Sequence, residues 1–127
     1  MHDTCSSWIV LFHQAFETEF AGLPEPFQDR LLAHAAVLSH CGPGLGRPLV
    51  DTLNGSRHSN MKELRFSSGR STWRVAFAFD PLRRAILLVG GDKGGASQRR
   101  FYQRLIALAD GRYDAHLAAI AKTTSGI

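Results

Sequence analysis

Met61-Lys-Glu-Leu-Arg-Phe66, a Ser67-Ser-Gly69 turn, Trp73-Arg-Val-Ala-Phe-Ala-Phe79, an Asp80-Pro81 turn, and Ala85-Ile-Leu-Leu-Val-Gly-Gly-Asp-Lys93 form the stretch whose reading decides the fold. Three short runs rich in β-branched and aromatic residues, separated by turn-forming residues, describe an antiparallel meander. The middle run alternates most clearly. Trp73, Val75, Phe77 and Phe79 share one face at period two, and Arg74, Ala76, Ala78 and Asp80 share the other.

The first run alternates in the same way, with Leu64 and Phe66 on one face and Glu63 and Arg65 on the opposite one. When both apolar faces point at a common core, Glu63, Arg65 and Arg74 lie together on the far side of the sheet, beside the small Ala76 and Ala78. A carboxylate with two guanidinium groups there suits a concave phosphate site. Arginine presents a planar fork to phosphate oxygens and keeps its charge at any working pH. The same pattern also suits a solvated sheet face carrying modest cross-strand ion pairs.

Outward from the meander, 127 residues predict a single domain spanning 1–127, with flexible ends at 1–7 and 122–127. No apolar run approaches the roughly 20 residues a bilayer span needs. The polar start lacks a basic leader region, so a cytoplasmic location is expected. Net charge is +4, and it is skewed along the chain. Between Arg57 and Arg112 there are twelve Arg and Lys against four Asp and Glu, which favours a polyanionic partner such as nucleic acid. Cys5 and Cys41 form no CxxC pair and are expected as free thiols. The six histidines show no metal-ligand spacing, so neither a metal nor a cofactor is expected.

In chain order, Trp8 to Phe12 reads as a first strand, apolar enough to be central. A short helix follows from His13 to Leu23, with Phe12, Phe16 and Phe20 on one side. A second helix runs from Phe27 to His40, entered through Pro26 and stopped by Cys41-Gly-Pro-Gly44. Residues 42–59 are loop-rich, with a brief strand near Leu49 to Leu53, and they bring Arg57 and His58 to the rim of the proposed site. His58 is a candidate acid or base near neutral pH. Gly90 to Gly95 is a glycine-dense turn that holds Lys93 at the sheet's end but lacks phosphate-loop spacing. Ser97 then caps a helix from Gln98 to about Ile120, with a frayed tail from Thr123 to Ile127. Arg99, Arg100 and Tyr102 ride on its first turn, where basic residues oppose the helix dipole.

The ordered set of Lys62-Glu-Leu-Arg65, Trp73-Arg-Val-Ala-Phe77, Gly90-Gly-Asp-Lys93 and the basic-aromatic helix start, preceded by Gly42-Pro-Gly-Leu-Gly-Arg-Pro48 and Leu53-Asn-Gly-Ser-Arg57, resembles the phage-related, HigB-type branch of the RelE/ParE toxin superfamily. The likeness covers about residues 8 to 117. It implies an α+β fold: N-terminal helices packed on a small twisted, mostly antiparallel sheet, with a C-terminal helix. It further implies the toxin of a type II toxin–antitoxin pair, an mRNA interferase acting on ribosome-bound mRNA. Its partners would be a cognate helix-turn-helix antitoxin, mRNA and the ribosome, with operator DNA reached only through the antitoxin complex and no membrane. Arg74 matches the arginine that contacts the scissile phosphate. Lys93, Arg99 or Arg100, and Tyr102 fall among the post-strand basic and tyrosine positions. Glu63 replaces a lysine of RelE, which leaves Glu63 or His58 as general base. The strand and loop pattern together with the resemblance nominates Glu63, Arg65, Arg74, Lys93 and Tyr102 as catalytic, and Arg57, His58, Lys62, Arg99 and Arg100 as RNA-binding. The alternatives are a ParE-like gyrase poison on the same fold and a non-catalytic basic nucleic-acid-binding module.

Overall fold

The structure, a computed structural model, describes residues 7–95 and 97–125. In order the elements are β1 (Ile9–Phe12), α1 (Gln14–Ala21), α2 (Glu25–Cys41), β2 (Val50–Thr52), β3 (Met61–Ser68), β4 (Ser71–Phe79), β5 (Arg84–Asp92) and α3 (Gln98–Ser125). One five-stranded sheet runs β1-β5-β4-β3-β2; β1 is parallel to β5 and every other pair is antiparallel. The meander and the α+β class read from the sequence are both observed.

Both faces of the sheet are covered, giving three layers. Trp73, Val75, Phe77 and Phe79 of β4 turn with Leu64 and Phe66 of β3 toward α1 and α2, meeting Phe16, Leu31 and Leu38. Met61, Ala76, Ala78, Ile86 and Leu88 turn toward α3, meeting Leu105, Ala109 and Tyr113. Here the fold departs from the expected open concave face. Ala76 and Ala78 are fully buried, and they are small because a helix lies across them. Only the end of that face near the start of α3 stays accessible, and the charged residues are there.

The first strand differs too. β1 is the sheet's edge rather than a central strand: Val10 and Phe12 pack inward, while Ile9 is 57% and Leu11 39% exposed. A four-residue apolar run does not show on how many sides it is paired. α2 enters through a proline in its first turn, as its sequence predicts. It stops at Gly42, whose φ of 60° favours a residue without a Cβ.

Strand β5 carries a bulge. Phe77 pairs with Leu87 and Ala76 with Val89, so Leu88 is the extra residue, and Leu88 and Val89 both face α3. The bulged Leu88 carbonyl accepts from Arg112 of α3 at 2.8 Å, and the same guanidinium grips Glu19 of α1 at 2.6 and 2.9 Å. At the β4–β5 turn, Asp80 has a fully buried carboxylate. It accepts from the Leu82 and Arg84 N–H groups, the Arg84 guanidinium and His116.

α3 reaches Ser125, beyond the expected end near Ile120, and Thr123 bonds back to the Ala119 carbonyl at 3.0 Å inside the region expected to fray. Of the expected flexible ends, residues 1–6, 126 and 127 lie outside the described residues, as does Cys5. Cys41 is a free, exposed thiol. No helix is long and apolar enough to cross a membrane.

Candidate active site

Residues Arg65 and Arg74 sit directly opposite one another on β3 and β4. Like charges at facing positions destabilise a sheet unless something compensates them. For Arg65 the compensation is visible. Its Nε and Nη2 donate to the Glu63 Oε2 at 3.2 and 2.8 Å, and Asp51 on β2 lies 3.7 Å from its Nη2. The bond to Glu63 holds the Arg65 guanidinium above its ordinary pKa, against the opposing effect of burial. For Arg74 no carboxylate lies within ion-pair distance among the described residues. Its guanidinium makes a long hydrogen bond, 3.4 Å, to the Thr72 carbonyl, and its buried Nε has no hydrogen-bond partner among the described residues.

α3 supplies the rest. Ser97 accepts from the Arg100 N–H at 3.1 Å, the N-cap expected from its side chain, and this fixes the first turn across the end of β4. Phe101 and Tyr102, packed edge to face on each other, then meet Arg74, whose guanidinium carbon lies 5.8 and 5.7 Å from their ring centroids. The Tyr102 hydroxyl donates to Glu63 Oε1 at 2.8 Å. Burial and the Glu63 carboxylate raise the Tyr102 pKa, so the hydroxyl keeps its proton. Gly91 is the cross-strand partner of Arg74. A Cβ there would lie 3.2 Å from the Phe101 ring, so glycine lets that ring lie against β5.

Glu63, Arg65, Arg74 and Tyr102 thus come together, and the remaining nominated residues scatter around them. Arg100 and Lys93 line a cleft on one side of α3, and Arg99 lines a shallower one beside Tyr102 on the other. Lys62 belongs to the opposite side of the sheet: period two turns it away from Glu63 and Arg65.

The expected rim position of Arg57 and His58 is not what the fold produces. The His58 ring bonds Asp114 at 2.7 Å, and Arg57 pairs with Asp114 and donates its backbone N–H to Asp110 at 3.0 Å. Asp110 also accepts from Ser56 at 2.5 Å. These acids lie eight and twelve residues past Tyr102 on α3, about 12–18 Å along the axis. Asp110 and Asp114, spaced i, i+4, were the unread signal. Phe101 was also missed as a site residue, although it adjoins Tyr102 in the sequence. Among the described residues no group of three or more His, Cys, Asp or Glu side chains is placed to hold a metal ion.

A mostly antiparallel sheet between two N-terminal helices and a long third helix, with a basic-aromatic cluster where that helix begins, is a RelE-like architecture. The structure aligns with that of an arginine double mutant of the E. coli toxin RelE in the free state. The TM-score is 0.54 at 11% identity, covering 80% of this chain and 95% of the other, which is a likeness of fold. In sequence, the family described as "Phage derived protein Gp49-like (DUF891)" matches residues 18–114, and the chain belongs to it. Two relatives come from Mycobacterium tuberculosis. "Putative toxin HigB2" is 48% identical over 103 residues, 80% of this chain and 51% of that protein. "Putative toxin HigB3" is 54% identical over 78 residues, 61% of this chain and 66% of that protein. The chain therefore spans about half of one relative and two thirds of the other. The resemblance to the HigB-type branch of the RelE/ParE toxin family holds.

Proposed function

We propose that this protein is the toxin of a type II toxin–antitoxin pair, silenced by a cognate antitoxin, and that it cleaves mRNA in the ribosomal A site. The observation that carries the reading is Arg74, a half-buried guanidinium with no carboxylate partner among the described residues, set against the Phe101 and Tyr102 rings beside a bonded tyrosine–carboxylate pair. A cation left in that condition is a site for an anion, and a phosphodiester supplies two oxygens for its fork.

Cleavage without a metal uses the neighbouring 2′-hydroxyl. The 2′-oxygen attacks phosphorus, the bond from phosphorus to the 5′-oxygen breaks, and the products are a 2′,3′-cyclic phosphate and a 5′-hydroxyl. The 2′ proton must go to a base, and the departing oxygen must receive one. Glu63 and Tyr102 form the acid–base pair adjoining Arg74. In this reading Glu63 takes the 2′ proton as Tyr102 gives its own to the 5′-oxygen, and the bond between them returns a proton to Tyr102 afterwards. Arg74 stabilises the charge growing on the phosphoryl oxygens, and Arg65 orients Glu63. Lys93, Arg99 and Arg100 lie where they hold flanking phosphates. His58, bound to Asp114 well along α3, is less suited to be the base.

Primer extension on mRNA from cells briefly expressing the protein, beside Arg74→Ala, tests this. The expected result is cuts at in-frame positions of translated regions, lost by at least two orders of magnitude in a folded Arg74→Ala protein. Full cleavage by that variant sinks the assignment. Intact mRNA with growth arrest and DNA damage would point to gyrase instead.

A further inference from the structure

The Phe101 ring that walls Arg74 on one side also walls a cleft of about 540 Å³ between α1, the far end of β5 and α3. That volume falls within the roughly 300–1,000 Å³ of small-ligand sites. We propose that this cleft takes one unstacked base of the RNA strand, the nucleotide next to the phosphate held by Arg74. The inference rests on the reading of the Arg74 face as the cleavage site.

Three properties of the cleft fit a nucleotide. Its interior wall is apolar, formed by Phe101, Leu105 and Leu108, and the Phe101 ring is a face on which a base of any identity can stack. Its floor is main chain. Strand β1 pairs with β5 only as far as Leu87, so among the described residues no strand covers the outer side of Gly90 and Gly91, which line the cleft. Backbone N–H and C=O groups there can meet the edge of a base. Its rim is cationic. Lys93, Arg100 and Arg104 line it, and no ion pair engages any of them among the described residues.

The two carboxylates in the lining are already engaged. Glu19 holds Arg112 at 2.6 Å, and Asp92 accepts from the Gly94 N–H at 3.0 Å. The cleft therefore presents net positive charge at its mouth. An extended acidic peptide would also find cations here. The shared Phe101 wall favours RNA, since a base stacked on that ring lies within one nucleotide of Arg74.

Leu108 is 39% exposed and Arg104 lies on the surface of α3, so both can be replaced without disturbing the core. Leu108→Trp fills the cleft and Arg104→Ala removes a rim cation. Cut sites are mapped transcript-wide in cells expressing the parent chain or each variant, with folding checked by thermal melting of the purified proteins. Because backbone groups of Gly90 and Gly91 meet the base edge, the parent is expected to show a base preference, on the order of tenfold, at one position beside the cut. Leu108→Trp should flatten the preference at that position alone while cutting continues, and Arg104→Ala should lower cutting severalfold with the preference kept. Identical base preferences in parent and Leu108→Trp would overturn the inference and leave the ribonuclease reading intact. Unchanged cutting by Leu108→Trp with loss of antitoxin binding would overturn it in favour of a peptide occupant. No cutting by the parent would overturn both.

Discussion

Replacing Glu63 with alanine tests whether this carboxylate is what allows two arginines to face each other across β3 and β4. Glu63 is 3% exposed and accepts one bond from Tyr102 and two from Arg65. A hydrogen bond to a charged group contributes about 1.5–3 kcal/mol, and the buried Tyr102 bond belongs in that range. The Arg65 side chain is 35% exposed, so its ion pair is screened and contributes no more than about 1 kcal/mol. Loss of Glu63 also leaves Arg65 and Arg74 opposed with only the more distant Asp51 between them and neutrality. The expected cost is about 3 kcal/mol, or a fall in melting midpoint on the order of 10 °C for a chain of this size. Urea unfolding at neutral pH measures it, with an unchanged slope showing that the variant loses stability rather than compactness. Adding Arg65→Met to Glu63→Ala should return about 1 kcal/mol, because it removes the uncompensated charge. If Glu63→Ala lies within 1 kcal/mol of the parent, or if Arg65→Met deepens the loss, the opposed-charge reasoning fails.

Other outcomes follow from the same geometry. The chain has two tyrosines, Tyr102 and Tyr113, and burial raises both, so ultraviolet titration of the folded protein should show neither ionising at the ordinary value of about 10. In Glu63→Ala the Tyr102 step should move down, because a carboxylate that raised it is gone. Burial alone would push the Asp80 carboxyl up, but His116 and Arg84 outweigh it and hold the pKa below the carboxylate norm. Asp80 therefore contributes stability that is full above about pH 4 and lost as pH falls through its lower folded pKa. Acid unfolding followed by circular dichroism should show Asp80→Asn less stable at neutral pH, with a shallower acid limb. Gly91→Ala sets a Cβ 3.2 Å from the Phe101 ring. It should lower cleavage severalfold while costing about 1 kcal/mol of stability, and equal cleavage in the cut-site assay would remove Phe101 from the site.

Much of this was legible in the sequence because β4 and β3 obey period two without interruption. Alternation put Glu63, Arg65 and Arg74 on one face and Trp73, Val75 and Phe77 on the other, as observed. Ser97 and Pro26 marked their helix starts by local chemistry alone. What failed depended on contacts distant in sequence. Alternation gives a strand's two faces but not whether a helix covers one, so Ala76 and Ala78 read as the bed of an open site. The four residues of β1 carry no sign that one edge is unpaired. Arg57 and His58 are close in sequence to Glu63, yet Asp110 and Asp114, more than fifty residues on, hold them elsewhere. The bulge at Leu88 is invisible to a period-two reading of an apolar run.

That bulge bears on how the protein assembles during synthesis. The Leu88 carbonyl is bonded by Arg112, and Arg112 is also the tie to Glu19. A growing chain that has made every strand still lacks that donor, and it lacks Phe101 and Tyr102 as well. It then carries Arg65 and Arg74 facing each other with the cover of Ala76 and Ala78 missing. The bond that caps the β5 bulge and the aromatic part of the site thus both come from α3. A nascent chain stalled before that helix emerges lacks Phe101, Tyr102 and Arg112, so under the proposed reading it would not cleave RNA.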